Sequence, residues 1–300
     1  MFTSAMPNEN GPLGRGERVP PTLPPKHAQI AYWNGPAAER WVREQETLDR
    51  AFVPFTTRLL LAAAIRPGER VLDVGCGCGT TTLAAADAVG PKGSVVGVDV
   101  SAPMLERAKE RARGRAGVAF QLADAAVYRP DAPFDRAMSR FGVMFFDAPA
   151  AAFANIREAL RPGGQLTFVC WRPVDENEWA RIPYEAATRV VPPGPPPGAE
   201  EPGPFSFGDR SRVERILSDA GFREIGIVAS DAEVVASETG LDEAVEFAIS
   251  GGPAGRLLRD APEGAHPRVR EELRRTLAPF VRGERVTMGG AIWVVTGKST

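Results

Sequence analysis

The run VLDVGCGCGTT at 71–81 places Gly75, Gly77 and Gly79 at alternate positions directly behind a short aliphatic stretch that carries one acid, Asp73. Backbone without Cβ atoms can turn at positive φ and let a ligand come close to the main chain. Thr80 to Val89 reads as a helix, and the free N–H groups of its first turn add a positive end. Strand, bare turn and helix in that order belong to an open parallel sheet, where ligands bind beyond the carboxyl ends of the strands.

The rest of the pattern agrees with such a sheet. Strands are expected at GSVVGVDV (93–100), VAFQLAD (118–124), FDRAMSRFG (134–142) and GGQLTFVCW (163–171), with helices over Ala102–Arg113 and Pro149–Leu160 between them. Short aliphatic strands alternating with helices predict a doubly wound α/β domain covered on both faces.

Four segments follow from the composition and periodicity. Residues 1–26 are rich in Pro and Gly and read as a disordered lead. Residues 27–65 form a helical cap, expected to break near Pro54. Residues 66–172 are the core. Residues 173–300 hold lid helices and the final strands. Within this last part a helix is expected over Glu176–Val190. The stretch PPGPPPGAEEPGP (192–204) precludes regular structure, and Ser211 with Glu214 signals a capping box for a helix ending at Gly221. A strand at EIGIVAS (224–230) precedes two amphipathic segments, with Leu241, Val245, Phe247 and Ile249 on the first and Val269, Leu273, Leu277 and Phe280 on the second. These are read as a lid inserted before the last strand, AIWVVTG (291–297).

The totals exclude several classes. Thirty-six basic and 38 acidic residues give a net charge of −2, which opposes a surface that tracks phosphates, so no nucleic-acid partner is expected. The three cysteines, Cys76, Cys78 and Cys170, supply no disulfide framework, and no metal site is expected, since only His27 and His266 are available to join Cys76 and Cys78. With no signal peptide and no apolar run of the ~18 residues a membrane span needs, the expected setting is the cytoplasm. No oligomeric state follows from the sequence.

The glycine order narrows the ligand. A dinucleotide fingerprint needs glycine at the first, third and sixth positions, and the sixth from Gly75 is Thr80. A nicotinamide oxidoreductase is therefore opposed. Asp99 ends the second strand, where a carboxylate suits a ribose diol. Asp124 ends the third, placed for the exocyclic amine of a base. Helix capping remains the other use of Asp99, and an ordinary turn acid the other use of Asp124.

With these motifs in hand, residues 66–172 resemble the class I S-adenosylmethionine-dependent methyltransferases. VLDVGCGCG is similar to the family's first motif, GVDVSAPML to its second, LADA to its third and LRPGGQL (160–166) to a later one. The flanks YWNGPAAERWV (32–42) and SRFGVMFF (139–146) resemble bacterial small-molecule members related to the ubiquinone and menaquinone biosynthesis enzymes. The resemblance implies a seven-stranded, mostly parallel Rossmann-like sheet in which AIWVVTG is the antiparallel seventh strand.

It also implies S-adenosylmethionine as cofactor and a small-molecule acceptor. Gly75, Cys76, Gly77 and Gly79 would line the methionine part and Asp73 would support its ammonium. Asp99 would hold the ribose, Val100 and Met104 would sandwich the adenine, and Asp124 and Ala125 would read its edge. Ser139 and Arg140 would begin the floor under the methyl. Tyr32, Trp33, Phe141 and Trp171 are the candidate acceptor pocket, and His27 is the candidate base. Whether O, N or C accepts the methyl stays open, as does a non-catalytic protein that keeps the cofactor site.

Overall fold

Strand β1 (Arg70–Val74) is buried along its last four residues and pairs in parallel with β2 (Ser94–Asp99) on one side and β4 (Phe134–Arg140) on the other. The five consecutive buried residues of β2 show that both faces of the sheet are covered, as a parallel sheet requires. Strand β3 (Val118–Leu122) joins β2, and β5 (Leu160–Trp171) joins β4, all in parallel. The computed structural model describes residues 25–196, 198, 201–259 and 261–300.

Beyond β5 the sheet continues through β8 (Arg285–Lys298), antiparallel to β5, to β6 (Arg223–Ser237) at the edge. The order is β3-β2-β1-β4-β5-β8-β6, so the expected seven-stranded sheet with an antiparallel last strand is present. A two-residue strand, β7 (Val281–Arg282), pairs with β8 and is too short to leave a periodicity in the sequence. The winding reverses between β1 and β4, which opens a crevice beyond their carboxyl ends.

The cap consists of α1 (Pro25–Tyr32), α2 (Pro36–Arg43) and α3 (Gln45–Ala63). Helix α3 does not break at Pro54. Ala51, Phe55, Leu59 and Ala63, four residues apart, bury one face as the helix crosses β4, β5, β8 and β6, and this packing overrides the lost backbone hydrogen bond. The lead expected over 1–26 lies outside the described residues, except for Pro25 and Lys26, which open α1.

Helices α4 (Thr80–Val89), α5 (Ala102–Arg111) and α6 (Pro149–Ala159) link the parallel strands close to the expected bounds. After β5 come α7 (Glu178–Thr188) and α8 (Arg210–Asp219), with no helix or strand among the described residues between them. The capping box at Ser211 does not form. Asp209 is the N-cap, accepting the Ser211 N–H at 2.8 Å, because its carboxylate lies one residue before the helix and the Ser211 hydroxyl already inside it. The C-terminal stop is as expected: Gly221 is left-handed at φ 87°, and the Gly221 and Phe222 N–H groups bond back to Ser218 and Leu217.

Helices α9 (Leu241–Ser250), α10 (Gly252–Arg259) and α11 (His266–Leu277) lie between β6 and β8, as a lid inserted before the last strand would. Both α10 and α11 pack on α7. Among the described residues no helix is long and apolar enough to cross a membrane.

Candidate functional site

Gly75, Gly77 and Gly79 all adopt positive φ, at 66°, 53° and 84°. A Cβ on Gly75 would lie 2.8 Å from Gly142 Cα, so the main chains at the tips of β1 and β4 touch. Gly79 faces inward instead. A Cβ there would meet Ala108 and Phe120 at 3.0 Å, so this glycine serves the packing of the turn against α5 and β3 and is not on a cavity wall.

The turn is fixed from below and from the side. Gly75 and Cys76 both donate N–H bonds to the Val98 carbonyl, at 2.9 and 3.2 Å. Asp99 at the β2 tip accepts the Gly77 N–H at 2.8 Å through Oδ2 and the Ser101 N–H at 2.8 Å through Oδ1. Burial raises its pKa, opposed by those backbone donors. Ser101, not Asp99, caps α5, since its hydroxyl accepts from Met104 N.

Asp73 lies behind the turn, fully buried and off the cavity wall. Its Oδ2 accepts the hydroxyls of Thr81 and Thr82, each at 2.6 Å, while Oδ1 is buried with no hydrogen bond among the described residues. Desolvation pushes its pKa up to about 6, against the pull of the two threonine hydroxyls and of Arg140. Burial likewise pushes the Cys76 thiol well above its ordinary value and Cys78 to about 11, so neither is a thiolate at neutral pH.

At the β4 tip Ser139 points into the sheet, its hydroxyl donating to the Val74 carbonyl at 2.7 Å, and it does not line the cavity. Arg140 does. Its guanidinium donates to Thr56 Oγ1 at 2.7 Å, lies 3.7 Å from Asp49 Oδ1 and sits 5.8 Å from the centre of the Phe52 ring. Burial lowers its pKa, partly offset by Asp49 and Asp73. A recess of about 40 Å³ beside it is lined by Gly75, Gly77, Gln45, Asp49 and Thr80.

Several residues here carry no sequence signal. Asp49, on α3, accepts the Thr80 hydroxyl at 2.5 Å and pairs with Arg111 at 2.9 Å, which ties the cap to α4 and α5. Asn34, between α1 and α2, donates to the Val100 carbonyl at 2.8 Å and accepts the Ala102 N–H at 3.0 Å, clamping the loop after Asp99. Only a three-dimensional arrangement brings these long-range pairs together.

A cavity of about 1420 Å³ opens above the turn. Gly75, Gly77, Asp99, Val100, Met104, Asp124 and Ala125 line one part of it. Asp124 also accepts the Ala126 N–H at 2.9 Å, the local turn that its type favours. Tyr32, Trp33, Phe141 and Trp171 all reach the same cavity, in two groups. Trp33 stands edge-on to Tyr32 and Phe145, each at 5.0 Å. Phe141 stacks on Trp171 at 4.2 Å and 9°, and Trp179 follows at 4.8 Å. Phe141 holds a left-handed φ of 65°, a conformation that costs an L side chain roughly 1–2 kcal/mol and concentrates at functional sites. His27 lies in the first turn of α1, with its side chain outside the described residues, and His266 does not line the cavity.

The residues present fit an adenosyl amino acid. Main chain at Gly75 and Gly77 is bare, an acid closes the β2 tip, and the orphaned Asp73 oxygen leaves an acceptor near the turn. A topological switch point carrying this turn and this acid has the form of an S-adenosylmethionine-binding site. The comparisons agree: a methyltransferase-domain family matches residues 71–164, and the chain belongs to the class I S-adenosylmethionine-dependent methyltransferases.

The chain is 32% identical over 263 residues to nocamycin O-methyltransferase of Saccharothrix syringae, covering 82% of this chain and 91% of that relative. It is 28% identical over 198 residues to demethylmenaquinone methyltransferase of Staphylococcus aureus, covering 62% of this chain and 81% of the relative. Among solved structures, phosphoethanolamine N-methyltransferase 2 of Haemonchus contortus, in complex with phosphomonomethylethanolamine and S-adenosylhomocysteine, superposes with a TM-score of 0.56. At 18% identity, over 94% of this chain and 62% of that one, this is a likeness of fold alone. The protein transfers a methyl group from S-adenosylmethionine to a small-molecule acceptor.

Proposed function

We propose that the acceptor is an extended, largely apolar molecule, methylated on oxygen in the aromatic part of the cavity. The observation that carries this reading is the cavity itself. Its volume of about 1420 Å³ exceeds the ~300–1000 Å³ usual for one ligand, so the cofactor leaves space for a second molecule of similar size. Phe141, Trp171 and Trp179 reach the cavity as a packed aromatic wall, which suits a largely apolar acceptor. Similarity to an O-methyltransferase supports oxygen as the nucleophile.

When bound, S-adenosylmethionine supplies an electrophilic methyl on a sulfonium. In this reading Gly75, Cys76 and Gly77 border its methionyl part, and Asp73, from behind the turn, favours the ammonium through its charge. Arg140 borders the same end, Asp99 accepts the ribose hydroxyls, Val100 and Met104 flank the adenine, and Asp124 with Ala125 reads its edge. The cap and lid exclude water and hold the acceptor oxygen in line with the methyl, which is most of what such a displacement needs. His27, in the first turn of α1, would take the acceptor proton where the acceptor arrives un-ionised.

The net charge of −2, and a β4 tip that reads Ser139-Arg140-Phe141-Gly142 in place of an Asn/Asp-Pro-Pro-aromatic turn, favour an acceptor that is not a nucleic acid. Three free, buried cysteines favour a reducing cytoplasm. The test is transfer of labelled methyl from S-adenosylmethionine to 1-hydroxyanthraquinone and to phenol. The large flat probe should be methylated on oxygen with the higher kcat/KM. Equal turnover of the two, or label on carbon or nitrogen with matched acceptors, would contradict the reading.

A further inference from the structure

The charged groups on the cavity wall are not all paired. Its acids are engaged: Glu185 pairs with Arg181 at 2.9 Å, Glu44 with Arg43 at 3.0 Å, and Glu201 accepts the Gly198 N–H at 3.0 Å. Asp99 and Asp124 accept backbone N–H groups, and Asp147 is engaged as well. Among the cations, Arg140 is held by Asp49 and Thr56, and Arg181 by Glu185. Arg40 of the cap lines the cavity with no side-chain ion pair or hydrogen bond among the described residues, and so do Arg256 and Arg259 of the lid.

The two lid arginines lie three residues apart on α10, so their side chains share one helical face. That helix is part of the lid. It is joined to the aromatic wall directly: a Cβ on Gly252, its first residue, would stand 3.3 Å from the Trp179 ring. Trp179 in turn packs on Trp171. An aromatic wall therefore adjoins two arginines without side-chain partners within one cavity.

We infer that Arg256 and Arg259 form an anion-binding subsite for the acceptor, taking an anionic oxygen group of a ligand whose flat apolar body lies against Trp171 and Trp179. Guanidinium groups suit this role, since their planar donors match a carboxylate or sulfonate edge. Solvated rim arginines are the alternative, and each would then contribute little to any ligand. The inference rests on reading the cavity as the acceptor site.

The experiment uses the full chain saturated with S-adenosylhomocysteine and two fluorescent probes with the same aromatic skeleton. One is 1-anilinonaphthalene-8-sulfonate, an anion, and the other N-phenyl-1-naphthylamine, which is neutral. The sulfonate should bind about tenfold more tightly, with an affinity that falls as salt rises. In the Arg256→Gln/Arg259→Gln double variant the sulfonate should weaken about tenfold, while the neutral probe and S-adenosylhomocysteine keep their affinities. Both positions are exposed and Gln is a good helix former, so the fold is retained. If the double variant binds the sulfonate as tightly as the parent, the subsite is overturned and the acceptor cavity stands. If neither probe binds the parent, the acceptor cavity itself is overturned.

Discussion

The Asp99 carboxylate accepts the Gly77 N–H at 2.8 Å across 22 residues, so the tip of β2 holds the middle glycine of the turn in place. Its other oxygen holds Ser101 at 2.8 Å. A carboxylate offers roughly four lone-pair sites, so two backbone bonds leave capacity for a diol. Asp99→Ala should therefore do two things. Calorimetry should show binding of S-adenosylhomocysteine lost, and urea denaturation should show a cost of about 2–4 kcal/mol, because two backbone N–H groups lose a charged acceptor. Undiminished affinity would remove Asp99 from the cofactor site.

Asp73 makes the site sensitive to pH. With its pKa raised from 3.8 to about 6 in the folded protein, the group's contribution to stability is present below about 3.8 and lost as pH rises through about 6. A cofactor ammonium prefers the charged carboxylate, so affinity moves the opposite way. The Kd of S-adenosylhomocysteine should fall about tenfold between pH 5 and pH 7, the fraction of Asp73 that must otherwise give up its proton setting the factor. Asp73→Asn should flatten most of that change. Burial raises Asp99 in the same direction, so the difference between parent and variant is the quantity to read.

Phe141 reverses a usual ranking. At φ 65° a glycine sits without strain and an alanine does not. Both truncations lose the stack on Trp171, yet Phe141→Gly should be more stable than Phe141→Ala by about 1 kcal/mol in urea denaturation. The opposite order would mean that the backbone relaxes to negative φ once the ring is gone.

The contact between the β1 and β4 tips leaves no room for a methyl group. A Cβ on Gly142 would lie 2.9 Å from both Gly75 Cα and the Val74 carbonyl oxygen. Gly142→Ala should lower stability by about 1–3 kcal/mol through overpacking and weaken S-adenosylhomocysteine in calorimetry. Gly68 is the control: its φ is 86° but a Cβ there meets nothing within 4 Å, so Gly68→Ala should cost about 1 kcal/mol and leave affinity unchanged.

What could be read from the sequence was local. Glycine spacing, strand-tip acids and the helix from Thr80 to Val89 are consequences of neighbouring residues, and they stand in the structure where the periodicity puts them. At Pro54 a local rule meets a tertiary one, since the burial of Phe55 and Leu59 across the sheet keeps the helix continuous. Asp49 with Arg111, and Asn34 with Val100, pair across 62 and 66 residues, and no spacing in the chain announces them. Ser139 shows the converse, since a residue beside the site in sequence points its hydroxyl into the sheet.

A crystal structure of the full chain with S-adenosylhomocysteine tests the central claim most directly. The account predicts the amino-acid end against the main chain of Gly75 and Gly77, the ribose hydroxyls on Asp99, and the sulfur facing the Phe141 and Trp171 wall. Electron density for the ligand elsewhere, or a crevice left empty at saturating ligand, would contradict it.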